Sequence, residues 1–220
     1  MRLSVQGMID EALKPKPRKR SGKFSPSSFG KCFRAQYWNR KDEPVTNPPD
    51  SRVMRVFKAG DLFHKFVQET IISNHPDIQK EVMVDTDPDV LGFCDMVNKI
   101  EVIEIKSQHS RAFHWMAKSK NIAEDKKTNW LQAMYYAIAL GKSAARLVFI
   151  SKDDMCIQEY QFKVDEYWEK EVAHELEVLR KWWEKDELPG ANPRAYNGKE
   201  CDYCNWRDKC KQKESQNVTR

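Results

Sequence analysis

The amino-acid sequence predicts an α/β domain, a β-sheet flanked by helices. Its 220 residues suit one domain with room for a small appended lobe, and 40% of them are hydrophobic, enough to form a core. Short runs with the two-residue period of strands fall in mid-chain, among longer runs with the 3.6-residue period of helices. No stretch approaches the roughly 18–20 apolar residues of a membrane span. Met1–Lys16 is short and mixed and contains Asp10 and Glu11, unlike a secretory signal. The expectation is a cytoplasmic protein with no membrane partner.

Residues 1–24 read as a short helix followed by a basic arm. "KPKPRKRSGK" (Lys14–Lys23) carries six cations and no acid, the pattern of either a disordered arm or a polyanion contact. The formal charge of +5 permits a polyanionic partner without demanding one. "SPSSFGKCFRAQYWNR" (Ser25–Arg40) opens with Ser and Pro ahead of an apolar-periodic run, which is helix-start chemistry. A proline-rich loop follows. Val53–Ile72 has helical periodicity, with Gly60, His64 and Gln68 four apart on one stripe.

"QKEVMVDTD" (Gln79–Asp87) reads as a strand, and "DVLGFCDMV" with "IEVIEIKS" reads as a hairpin turning at Asn98–Lys99. Arg111–Ser119 and Thr128–Leu140 read as helices, the second stopped by Gly141. "AARLVFIS" and "CIQEYQFKV" give two more strands around Asp153–Asp154. A long amphipathic helix covers about Asp165–Asp186. Its seam is Trp168, Val172, Leu176, Leu179 and Trp183, a core-packing pattern. "LPG" ends it, and a cysteine-bearing tail follows.

Six cysteines are present: Cys32, Cys94, Cys156, Cys201, Cys204 and Cys210. Cys201, Cys204 and Cys210 form a C-x2-C-x5-C cluster. In a reducing compartment this clustering favours a metal or iron–sulfur site over disulfides. Cys94 and Cys156 are expected to pack as small apolar residues. Glu81 is expected to be a solvated strand carboxylate.

The hairpin carries charges that a core hairpin does not need. With Asn98–Lys99 as the turn, Asp95 faces Val102 and Phe93 faces Glu104. Asp95, Glu104 and Lys106 then share one face, with the two carboxylates diagonal neighbours roughly 7–8 Å apart. Half-buried carboxylates beside Phe93, Val97, Ile100 and Val102 are costly unless compensated, and a divalent metal compensates them.

These residues resemble a known family. Asp95 followed by Glu104-Ile105-Lys106 is similar to the D…E-x-K core of the PD-(D/E)XK nuclease superfamily. Further motifs resemble its RecB-like exonuclease branch, which includes CRISPR adaptation nucleases and AddB-type nuclease domains. They are Gly92-Phe-Cys-Asp95, Gly60-Asp-Leu-Phe-His64, Gln132-Ala-Met-Tyr-Tyr136, the "SPSSFGKCFRAQYW" segment, and Cys32 with Cys201, Cys204 and Cys210. The match covers about residues 25–210. Cys94 stands where the superfamily often has proline, and the basic arm has no counterpart.

The resemblance implies a restriction-endonuclease-like core, a central mixed β-sheet flanked by helices. It also implies a helical iron–sulfur lobe joining the N- and C-terminal segments. The division expected is 1–24 as basic arm, 25–52 with 188–213 as lobe, and 53–187 as core. His64, Asp95, Glu104 and the Ile105 carbonyl would hold Mg2+ or Mn2+, with Lys106 beside them and Gln132 and Tyr136 lining the site. The four cysteines would hold a 4Fe-4S cluster, with Zn2+ as the alternative. The activity implied is metal-dependent DNA exonuclease, with single-stranded ends as the preferred substrate and a helicase, recombination or CRISPR protein as a partner.

His109, Arg111, Phe113, His114, Trp115, Lys118, Lys120 and Trp130 interleave cations with aromatics, which suits a single strand or an ordinary basic helix. Arg111, Trp115, Lys118 and Lys120 are the expected DNA contacts. Two competing readings are a non-catalytic DNA-binding or adaptor module on the same fold and a zinc-stabilised interaction protein. Intact Asp95, Glu104 and Lys106 argue against the first.

Overall fold

The computed structural model describes residues 4–16 and 19–218. Five strands form one sheet in chain order: β1 (Gln79–Val84), β2 (Gly92–Val97), β3 (Glu101–Gln108), β4 (Ala144–Ser151) and β5 (Ile157–Lys163). Neighbours are antiparallel except β3 and β4, which are parallel, so the sheet is mixed. A parallel pair needs a long crossover. Here it is α4 (Ser110–Ala117), α5 (Ile122–Asp125) and α6 (Lys127–Ala139).

Three helices complete the layers around the sheet. They are α2 (Phe33–Arg40), α3 (Ser51–Ile72), capped by the Asp50 carboxylate, and α7 (Glu166–Glu184), capped by Asp165. The main core joins α6 and α7 to one face of the sheet, with Trp130, Met134, Leu147, Phe149, Trp168 and Leu179 buried. The α7 seam lies there as its spacing predicts, with Trp183 at the margin. A smaller core on the other face packs Val67 of α3 against Met96, Ile103, Ile105, Val148 and Ile150. α1 (Val5–Ala12) lies beside α3 and pairs Asp10 with Arg55. α8 (Arg207–Val218), which the sequence pattern does not announce, closes the chain.

A third small core joins the two ends of the chain: Tyr37, Trp38 and Trp206, with Cys204, Cys210 and Leu188 against it. Glu175 of α7, only 2% exposed, fastens this region. Its carboxylate accepts from Gly30 N, Gln36 Nε2 and both terminal nitrogens of Arg194. Glu200 accepts from Cys32 N at 2.7 Å and from the Arg194 and Ala195 amides. Part of the basic arm is pinned as well. Arg20 lies over the Trp206 ring, and Lys23 pairs with Asp85. Pro17 and Arg18 of that arm lie outside the described residues.

The hairpin register differs from its predicted form by two residues: Val97 faces Val102 and Met96 faces Ile103. The cause is local. The Asn98 side chain accepts from the Ile100 and Glu101 amides, both at 2.8 Å, so the turn centres on Lys99–Ile100 instead of Asn98–Lys99. A two-residue slip keeps Val97 and Val102 on one face and Met96 and Ile103 on the other, whereas a one-residue slip would reverse them. Its effect is to bring Asp95 directly opposite Glu104 instead of diagonal to it. Among the described residues, no helix is long and apolar enough to cross a membrane.

Candidate active site

β2 and β3 part where Asp95 meets Glu104. In place of the backbone ladder, the two carboxylates bridge the gap. Asp95 N donates to Glu104 Oε1 at 3.2 Å, and Ile105 N donates to Asp95 Oδ2 at 2.6 Å. Strand alternation also breaks here: Cys94 and Val97 face the same core, three residues apart, while Met96 faces the opposite one. Across β2, the ladder runs on either side of Glu81 but skips it, and Glu81 takes a left-handed φ of 50° opposite Asp95.

Three elements converge on this split. From α3, His64 Nδ1 lies 3.3 Å from Asp95 Oδ1. From β3, Lys106 Nζ donates to Glu104 Oε2 at 2.8 Å and to Gln132 Oε1 of α6 at 3.0 Å. Tyr136, one turn beyond Gln132, packs its hydroxyl against Gly92. A Cβ at Gly92 would run into that hydroxyl and lie within 3.0 Å of Pro26, so a glycine is required by close approach.

Burial divides the two carboxylates. Glu104 is fully buried, and burial together with the charge of Asp95 pushes its pKa up to about 7 against the opposing Lys106 ammonium. For Asp95, burial alone would raise the pKa. The His64 hydrogen bond, the Lys106 and His64 charges and the Ile105 amide outweigh burial and hold the carboxyl below its usual range. Burial also pulls at Lys106, but Glu104 and Asp95 hold its ammonium above the ordinary lysine value. His64 is likewise desolvated, and Asp95 raises it in net. Burial and Glu104 keep the Tyr136 phenol firmly protonated.

The open side of the site is a cleft of about 470 Å3 lined by Asp61, His64, Lys65, Gln68, Glu69, Lys80, Glu81 and Asp95. Glu81, expected as a solvated strand carboxylate, is exposed but lines this cleft. Buried Gln68 donates to Glu81 Oε1 at 2.7 Å and to the Asp95 carbonyl at 3.0 Å. The Gly60–His64–Gln68 stripe signalled Gln68, while nothing in the strand pattern signalled the left-handed turn that aims Glu81.

The structure thus brings His64, Asp95, Glu104, Lys106, Gln132 and Tyr136 together. Among the described residues, no three His, Cys, Asp or Glu side chains are already set around one point for a metal ion. The carboxylates are engaged with each other's backbone instead.

Of the four cysteines expected to hold a metal centre, Cys204 and Cys210 pack against the small third core, while Cys32 precedes α2 and Cys201 is exposed. Burial raises Cys201 and Cys204; the charges of Cys32 and Cys210 add to Cys201, and those of Cys32, Cys201 and Cys210 add to Cys204. Buried Arg34 donates to Cys210 Sγ at 3.0 Å, and Trp206 N donates to Cys204 Sγ at 3.4 Å. Cys94 is buried and bonds the Met96 carbonyl, as a small core residue does. Cys156 is exposed, contrary to expectation, because it precedes β5 at the end of the Asp153–Asp154 turn.

Of the expected DNA contacts, Arg111, Trp115, Lys118 and Lys120 line one exposed cavity of about 700 Å3, and Trp115 is 74% exposed. Trp130 is not among them. It is fully buried and stacks on Phe162 at 4.3 Å, because the α6 apolar period turns it inward. Phe113 is buried as well.

No protein-family model and no curated protein matches the chain. Solved structures do match. The structure of SSO0001 is 18% identical, covers 93% of this chain and 93% of its own, and superposes with a TM-score of 0.59. LHK-Exo, an exonuclease from Laribacter hongkongensis, in complex with dAMP is 15% identical over 83% of this chain and 94% of its own, with a TM-score of 0.52. A phage-related exonuclease from Haemophilus somnus 129PT is 12% identical over the same shares, also with a TM-score of 0.52. The fold is shared: a restriction-endonuclease-like core, α/β with a mixed sheet between helices.

Proposed function

We propose that the chain is a metal-dependent deoxyribonuclease of the PD-(D/E)XK type, an exonuclease that prefers single-stranded DNA ends. One observation carries this reading. His64, Asp95, Glu104 and Lys106 converge where two strands part, with Gln132 holding the lysine. Two solved neighbours of the fold are named exonucleases, and one holds dAMP, which supports DNA as the substrate class.

The donor chemistry fits a hard divalent cation. Two carboxylates share a buried strand gap, and the strain of placing both charges there shows in the raised Glu104. Asp95, Glu104, His64 and the Ile105 carbonyl would hold Mg2+ or Mn2+, the imidazole tilting the preference toward Mn2+. When bound, the cation neutralises charge on the scissile phosphate and activates water. Lys106, held by Glu104 and Gln132, keeps its proton and stabilises charge that develops on the phosphate. Tyr136 and Gly92 close the floor behind Glu104. The apolar faces around them exclude water.

Cys32, Cys201, Cys204 and Cys210 would hold a 4Fe-4S cluster. Their mutual influence and the Arg34 hydrogen bond to Cys210 suit thiolate ligands. On this reading 25–52 with 188–213 is the cluster lobe, 53–187 the nuclease core and 1–24 an arm. Arg111, Trp115, Lys118 and Lys120 would track the strand, with Trp115 as the stacking platform. A helicase, recombination or CRISPR protein would supply unwinding.

End-labelled DNA incubated with and without Mn2+ tests the activity, its polarity and its strand preference together. Degradation should require the metal and vanish in Asp95→Ala; cleavage by that variant would refute the assignment. Anaerobic protein should be brown with absorbance near 400 nm, whereas colourless, zinc-loaded protein would assign the cysteines to zinc.

A further inference from the structure

Resting on the nuclease reading above, we propose that Phe57 is a further substrate-binding residue, on whose ring a base of the bound strand stacks beside the catalytic carboxylates. Phe57, Gly60, His64 and Gln68 fall at i, i+3, i+7 and i+11 of α3, so they lie along one stripe of the helix. The stripe faces the strand gap. His64 Nδ1 lies 3.3 Å from Asp95 Oδ1, and Gln68 Nε2 donates to Glu81 and to the Asp95 carbonyl. Leu62 and Phe66 of α3 are exposed as well, but helical phase turns them to the other flank.

The start of α3 runs along the end of β3. A Cβ at Gly60 would lie 3.6 Å from Ser107 Oγ, one residue beyond Lys106. Lys152 N donates to the Gln108 carbonyl at 2.8 Å, and its Nζ donates to the Val56 carbonyl at 3.5 Å. Residues 56–60 are thereby held where β3 ends and α4 begins. Phe57 thus stands on the side of Lys106 toward α4, whose Arg111 and Trp115 line the exposed cavity.

Packing does not account for the ring. On the same stripe His64 is half-buried and Gln68 buried, whereas Phe57 is 55% exposed and, among the described residues, makes no ring contact with another aromatic. Gly60 leaves bare backbone between Phe57 and His64. A Cβ there would meet Ser107 only at ordinary contact distance, so close packing does not require the glycine. The result is a notch one side chain wide, between a phenyl ring and an imidazole. Phe57 lies two turns, about 10 Å, from His64. That is about three base steps at roughly 3.4 Å each, and fewer in an extended strand. A base at Phe57 therefore belongs to the strand whose phosphate is cut, a short way along it. A phenyl ring stacks any base and carries no charge, so it adds binding without sequence preference and without a phosphate contact.

The test uses the full chain carrying Phe57→Ala or Phe57→Trp, with an end-labelled single-stranded oligonucleotide. Equilibrium binding is measured with Ca2+ across a salt series, and cleavage with Mn2+. Phe57→Ala should raise Kd about tenfold, the lower end of what one stacked base contributes, and leave the log–log salt slope unchanged. Phe57→Trp should restore wild-type binding, and the thermal midpoint of Phe57→Ala should stay at the wild-type value. Oligonucleotides with one abasic site at successive positions locate the base. Wild type should lose about tenfold at one position, and Phe57→Ala should lose nothing further there. An unchanged Kd in Phe57→Ala would overturn the proposal, as would abasic losses that are the same in both proteins. So would a loss that tryptophan does not rescue and that accompanies a lowered thermal midpoint, since Phe57 would then be structural. If wild type binds the oligonucleotide but does not cleave it, the nuclease reading falls, while the Ca2+ binding series still decides Phe57.

Discussion

The carboxylate site and the cysteine lobe are assembled in opposite ways. At the strand gap, Asp95, Ile105 and Glu104 bond to one another within ten residues of sequence, on a hairpin buried on both faces. At the lobe, segments from the two ends of the chain meet, and two buried glutamates fasten them through Gly30, Gln36, Arg194 and Cys32. The first is a short-range geometry locked by strand pairing; the second is a long-range closure held by a few charged hydrogen bonds. Damage to the first should therefore be chemical and damage to the second structural.

The largest effect expected is in Asp95→Ala. Mn2+-dependent DNA cleavage should fall by about 10³-fold, comparable to losing one strong transition-state stabiliser. The cysteine absorbance and the far-ultraviolet circular dichroism should not move. A parallel loss of that absorbance would show that the two regions are not separable.

Glu175→Gln addresses the other region. It leaves the Arg194 guanidinium beside a neutral amide and removes the negative charge on which Gly30 N and Gln36 converge. Breaking a buried charged bridge costs about 3 kcal/mol, or about 6–12 °C in Tm at this chain length. Scanning calorimetry reads the shift, and a Tm within a degree of wild type would mean the clasp does not hold the lobe.

The pH profile of metal-free protein sharpens the contrast. Glu104 is raised from 4.5 to about 7, so between those values the folded state holds more protons than the unfolded one. Stability should fall as pH rises through this window and level off above it. Asp95, lowered from 3.8, acts in the opposite sense and only in more acidic solution, so the two windows do not overlap. Denaturant titrations at several pH values should show the slope in wild type, and Glu104→Gln or saturating Mn2+ should remove it. A slope that survives Glu104→Gln belongs to another group.

The smallest effect is expected at the rim. Replacing both Lys118 and Lys120 with Ala should reduce the salt slope of single-strand binding by about 1.4 while leaving cleavage chemistry intact. An unchanged slope would confine the DNA footprint to the strand gap and its immediate walls.

Much of this was legible in the sequence. The strand and helix periods marked all five strands and the helices that sandwich them, and the order His64, Asp95, Glu104, Lys106, Gln132, Tyr136 singled out side chains that the fold brings together. Three kinds of information were not legible. The hairpin register depended on one Asn98 side chain capping two amides, which periodicity does not encode. The aim of Glu81 depended on a left-handed residue in a strand, an exception to the pattern that defines strands. Trp130 falls in a stretch of basic and aromatic composition, yet helical phase buries it.

Because the carboxylates at 95 and 104 also stand in for missing rungs of the sheet, selection on the fold alone would keep hydrogen-bonding side chains at both positions. A lineage that had abandoned catalysis could drift to Asn and Gln there and still keep the hairpin closed. Polar residues retained at the pair would then attest to architecture, and only acids accompanied by the lysine would attest to chemistry.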